Sequence, residues 1–131
     1  MKASHRFVAF LGLFIIIAGC MSSEALLRKR IEEHYAGLNP KIMWELSAED
    51  FRKRMSEKEY IEYFEKHNYF KEFKDVVFSI EEVSISGNKA RVKMRIQAKT
   101  ITDNTKIDEI LYDYWVFEYN NWYMKSGGRT E

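Results

Sequence analysis

Few residues in this chain are of types that do chemistry, and their spacing limits which chemistry is open. Asp113 lies in the run Leu111-Tyr112-Asp113-Tyr114-Trp115-Val116-Phe117, where Leu111, Trp115 and Phe117 share its parity. Period-two alternation places these four side chains on one strand face. A carboxylate among apolar neighbours has its pKa raised and can serve as a general base or a neutral donor. One acid without a convincing partner is not a catalytic constellation, so no catalysis is expected and Asp113 stands as a lone candidate. His34 and His67 show no metal-ligand spacing, and a metal needs three or four convergent ligands, so neither metal nor cofactor is expected. The segment 103–109 holds Asp103, Asp108 and Glu109 but lacks the glycine and ligand rhythm of a calcium loop. Arg91, Lys93, Arg95 and Lys99 form a basic row, which reads as a solvated face with Glu82 opposite Lys93. The net charge of +1 gives no basic field for nucleic acid. No phosphate loop or nucleophile elbow occurs.

The single cysteine is more informative. Lys2 and Arg6 precede an apolar run from Phe7 to Ile17, then Ala18-Gly19 and Cys20. Basic, apolar and small, in that order, is the pattern of a secretory signal peptide, and the run is short for a transmembrane helix. Ile17-Ala18-Gly19-Cys20 resembles the lipobox of bacterial lipoproteins. That resemblance implies cleavage between Gly19 and Cys20 and lipid on the Cys20 thiol. It also implies a protein anchored outside the cytoplasm in the cell envelope. Met21, in place of Asp, favours the outer membrane if the host has one. Residues 1–19 are then the signal, 20–23 a lipidated tether, 24–125 one domain and 126–131 a flexible tail. The chain left after cleavage is close to neutral, since the signal carries Lys2 and Arg6 and no acid.

The chain has 131 residues, 46% apolar and 15% aromatic, enough for one well-packed domain. Leu27, Ile31, Tyr35 and Leu38 recur at helical spacing over 24–38, and Asn39-Pro40 is expected to end that helix. Ser47 and Ser56, each with an acid three residues on, are expected to cap two further helices. The second of these turns Tyr60, Ile61, Phe64 and either His67 or Asn68 inward. From Val76 the period becomes two. Phe78 and Ile80 have one parity, Val83 and Ile85 the other, which predicts a bulge near Glu81-Glu82. Gly87-Asn88 predicts a hairpin, and Ala90, Val92, Met94, Ile96 and Ala98 form one face of the return strand. A strand over 107–119 and a turn at Asn120-Asn121 follow. Helices segregated from antiparallel strands make an α+β fold, with helices on one face of a curved four-stranded sheet.

Leu46-Ser47-Ala48-Glu49-Asp50-Phe51-Arg52, Ser56-Glu57-Lys58-Glu59-Tyr60-Ile61 and the ending Trp115-Val116-Phe117-Glu118-Tyr119-Asn120-Asn121-Trp122-Tyr123 resemble small secreted domains of the nuclear transport factor 2-like superfamily. The resemblance spans about residues 24 to 125 as an order of elements. It implies a cone-shaped pocket between helices and sheet, for which Tyr35, Phe64, Asp113, Trp115 and Phe117 are the candidate lining. The superfamily's isomerases use acids in such a pocket, so an isomerase- or hydratase-like enzyme built on Asp113 is the alternative to a binding or accessory lipoprotein. A structural cell-envelope protein is the third reading. On the opposite strand face Tyr112, Tyr114, Val116 and Tyr123 form an aromatic patch, the candidate interface for a homodimer or an envelope protein. The expected partners are the membrane through the lipid, a second copy or envelope protein, and a small apolar ligand.

Overall fold

The computed structural model describes residues 22–125; the signal peptide, the Gly19–Cys20 cleavage site, the lipidated cysteine and the tail from 126 lie outside the described residues. The first helix, α1 (Ser23–Tyr35), takes in Ser23 from the segment expected as tether, because the Ser22 hydroxyl accepts from the Ala25 amide and caps it. Leu27 and Ile31 on its inner stripe are fully buried. A 3-10 turn over Ala36–Leu38 follows, with Gly37 at φ 68°. The helix expected over 24–38 thus ends at Tyr35, before Asn39-Pro40, which instead opens a helix that the sequence reading missed, α2 (Pro40–Glu45). Asn39 caps it and Pro40 fills its first turn, where a missing amide costs nothing.

Helix α3 (Glu49–Arg54) starts at Ala48, without a side-chain cap. The expected Ser47 cap is absent: its hydroxyl donates to the Met43 carbonyl at 2.8 Å, and the Glu118 carboxylate accepts from the Glu49 amide at 2.9 Å. Ser56 does cap α4 (Glu57–His67), accepting from the Glu59 amide at 3.2 Å. A 3-10 turn, Tyr69–Glu72, leads into the sheet.

The sheet is a curved antiparallel meander in the order β1 (Phe73–Ser86), β2 (Lys89–Thr100), β3 (Lys106–Glu118), β4 (Asn121–Met124). The register shifts between Ile80 and Glu82, so Phe78, Ile80, Val83 and Ile85 face Ile96, Met94, Val92 and Ala90 in turn, and Glu82 faces Lys93. One extra residue thus reconciles both parities on one face. A second shift, near Asp75 at φ 53°, was not foreseen. The final hairpin differs by one position from expectation: Tyr119 and Asn120 form the turn, both at positive φ, and Phe117 pairs with Trp122. A turn at Asn120-Asn121 would pair Phe117 with Met124 and Tyr119 with Trp122; the slip moves each partner by two residues, so the faces are unchanged, but Tyr119 falls in the turn and is exposed.

The core lies between α1 and the inner sheet face, built on Leu27, Ile31, Val92, Met94, Trp115 and Trp122. The Trp122 indole donates to the Ser23 carbonyl at 3.1 Å, and Arg30 donates to the Trp122 carbonyl at 2.8 Å, fixing the start and the middle of α1 to β4. The edge of β4 is closed by the 46–48 segment, through Met124 amide to Leu46 carbonyl and Ala48 amide to Met124 carbonyl, at 2.7 and 2.8 Å. None of the described helices is long and apolar enough to cross a membrane.

Candidate functional site

A cavity of about 450 Å³ lies where the lower helices diverge from the sheet. The last turn of α1 supplies His34 and Tyr35, α2 supplies Met43, and Phe51 comes from α3. Helix α4 lines it with Tyr60, Tyr63, Phe64 and His67 at helical spacing, and the turn after it adds Phe70. The sheet contributes Leu111 and Asp113 from β3 and Met124 from β4. Two contacts brace the wall: behind it the Trp44 indole donates to the Met55 carbonyl at 2.8 Å, and within it the Tyr60 hydroxyl lies 3.9 Å from the Met43 sulfur.

Asp113 is opposite Val92 in the middle of β3 and only 9% exposed. The Tyr35 hydroxyl donates to its Oδ2. This joins an acid and a phenol 78 positions apart in the chain, a pairing that spacing alone could not reveal. His34, whose type alone suggests a core edge or the surface, is buried on the stripe of Leu27 and Ile31. Its ring stands edge-on to Tyr35 at 4.7 Å and to Trp115 at 5.8 Å. Burial pushes its pKa from 6.5 down to about 4, so the imidazole is neutral at physiological pH. His34 Nδ1 and the Trp115 indole nitrogen are buried without a hydrogen-bond partner among the described residues. Burial also raises the Tyr60 phenol, which therefore stays protonated.

Of the five candidate pocket residues, the fold brings Tyr35, Phe64 and Asp113 to the cavity. Trp115 lies behind it in the core, and Phe117 packs edge-on against Trp122 at 5.3 Å, away from it. Both share the correct strand face, but the helices diverge only toward the Leu111 end. Met43 escaped notice with its helix, although Asn39-Pro40 was a readable start signal. His34 escaped because its type suggests an edge position, while its spacing from Ile31 puts it on the inner stripe.

The other face of the sheet carries Tyr112, Tyr114, Val116 and Tyr123, each half-buried. Arg91 stacks on Tyr112 at 5.3 Å, and Arg30 and Arg52 lie over the Tyr123 ring at 4.9 and 5.4 Å. Guanidinium groups thus interrupt the aromatic patch. In the basic row, Arg95 forks onto the Asp108 carboxylate at 2.8 and 2.6 Å and reaches Glu81 at 3.4 Å. Asp103 accepts from the hydroxyls of Thr100 and Thr105 and so closes its own loop. Among the described residues no cluster of three or more metal-ligating side chains occurs.

The sequence matches no family model and no curated protein. Solved structures share the fold, two of them as follows. One is the solution structure of a SEC-C motif containing protein from Rhodopseudomonas palustris, with a TM-score of 0.58 and 16% identity over 88% of this chain and 86% of that one. The other comes from de novo design of proteins with diverse pocket structures, with a TM-score of 0.51 and 12% identity over 78% of this chain and 94% of the designed one. Both likenesses concern the fold alone.

Proposed function

We propose that this protein is a lipid-anchored, extracytoplasmic binding or accessory domain whose helix–sheet cavity takes a small, largely apolar molecule. The observation that carries the reading is the cavity of about 450 Å³, walled by aromatic and methionine side chains with the Tyr35–Asp113 pair inside it. Small-molecule sites are mostly apolar clefts of roughly 300–1,000 Å³ with a few placed polar groups. The anchor rests on Ile17-Ala18-Gly19-Cys20 behind its apolar run. Helix α1 begins at Ser23, so acyl chains on Cys20 hold the domain close against the bilayer. Each buried methylene contributes about 0.8 kcal/mol, and two or more chains anchor firmly. Met21 favours the outer membrane of a two-membrane host. The order of elements agrees with the nuclear transport factor 2-like superfamily. The face of Tyr112, Tyr114, Val116 and Tyr123 is the surface for a second copy or an envelope protein.

Native mass spectrometry of the full-length protein, released gently from the membranes of its own host, tests the binding reading. A bound mass is the expected result; a bare monomer refutes the ligand and the tyrosine-face interface together. Cys20→Ser should shift the protein out of the membrane fraction, and firm membrane association of that variant refutes the anchor.

One observation favours a second reading. Asp113 is buried, faces an open cavity and accepts from a tyrosine hydroxyl, the arrangement that an isomerase- or hydratase-like enzyme would need. Asp113 then moves the proton and Tyr35 steadies the developing charge. A bound molecule recovered chemically unchanged after prolonged incubation with the protein decides against this reading.

A further inference from the structure

We propose that the ligand of this cavity is an organic cation, with an ammonium head set between Asp113 and the aromatic wall. This rests on the cavity being a binding site and adds the charge class of what binds. Aromatic residues dominate the wall, among them Tyr35, Phe51, Tyr60, Tyr63, Phe64 and Phe70. Aromatic faces bear negative potential and attract ammonium groups, most strongly where water is excluded. Asp113 is the one acid lining the cavity among the described residues, and it sits on the buried sheet side. The Tyr35 hydroxyl that donates to it steadies a negative charge without cancelling it.

Of the basic groups in the lining, the buried one carries no charge: His34 is neutral at physiological pH because it is buried. Lys125 and His67, which also line the cavity, are exposed to solvent, whereas Asp113 is buried. An anion entering this space would meet the Asp113 carboxylate directly. A neutral molecule would gain from apolar burial but not from the charge or the ring faces.

The test compares three probes of one shape: choline, its carbon isostere 3,3-dimethylbutanol, and 3,3-dimethylbutanoate. Dissociation constants are read by ligand-observed saturation-transfer NMR on the full-length protein in maltoside micelles, with empty micelles as the reference. Choline should bind about tenfold more tightly than its isostere, and the carboxylate more weakly than either. Asp113→Asn should bring choline within about threefold of the isostere. An isostere or carboxylate that binds the wild-type protein as tightly as choline overturns the cation proposal and leaves the cavity reading standing. Binding by none of the three overturns both. The wild-type comparison does not depend on the variant folding.

Discussion

Lowering the pH from about 7 to about 5 should cost the folded protein about 2 kcal/mol through His34 alone. The side chain is 7% exposed and sits between Tyr35 and Trp115, where burial takes its pKa from 6.5 to about 4. In the unfolded chain the imidazole takes up its proton as the pH falls through 6.5; in the folded chain it does so only near 4. Between those values the unfolded state binds a proton that the native state refuses, so acidification favours unfolding. Each pH unit inside the window is worth about 1.4 kcal/mol, and about one and a half units separate 6.5 from pH 5. The loss is complete once the pH passes below the folded value. Urea unfolding followed by tryptophan fluorescence at the two pH values measures it. His34→Gln and His34→Leu should shift the absolute stability but remove this part of its pH dependence. If both variants lose as much stability as the wild type over that range, His34 is not the source and its placement in the core is refuted.

Three further outcomes follow from single positions. Trp122→Ala, which empties a fully buried site bonded to Ser23, should cost about 3–5 kcal/mol in urea unfolding. Gly87→Val should cost about 1–2 kcal/mol in thermal unfolding, by backbone strain alone, because Gly87 has φ 60° and nothing stands where a Cβ would go. Ser56→Ala should cost about 1 kcal/mol by removing the cap of α4, read in the same thermal assay.

What could be read in advance follows the range of the forces involved. The strand faces, the bulge at Glu81-Glu82 and the Gly87-Asn88 hairpin depend on local parity and turn chemistry, and the structure has them all. Ser56 and Ser47 carry the same local signal, yet only Ser56 caps a helix. Ser47 sits in the segment that closes the β4 edge, and there the Met43 carbonyl and the Glu118 carboxylate decide which groups pair. The final turn moved by one residue because Tyr119-Asn120 and Asn120-Asn121 are both admissible to local rules, and packing of Trp122 on Phe117 selects between them. The cavity was legible only in part. Parity put Asp113 on the inner face, but the Tyr35 contact depends on how α1 crosses the sheet, which no spacing within one element encodes.

The departures from local rules collect in one place. A sequence shaped for stability alone would fill positions 34 and 113 with aliphatic residues. A buried polar atom without a partner costs about 1–3 kcal/mol, and a carboxylate inside an apolar wall is costly even when hydrogen-bonded. Here His34, Asp113 and the indole nitrogen of Trp115 lie within one neighbourhood at the end of α1, while the core above them, around Leu27, Val92 and Trp122, is apolar and well packed. Costs scattered at random would point to loose packing. Costs gathered beside an open cavity are what a binding site leaves in a fold. The Tyr35–Asp113 bond gives that arrangement a structural side as well, because it ties the last turn of α1 to the middle of β3 and keeps the cavity floor in place before any ligand enters.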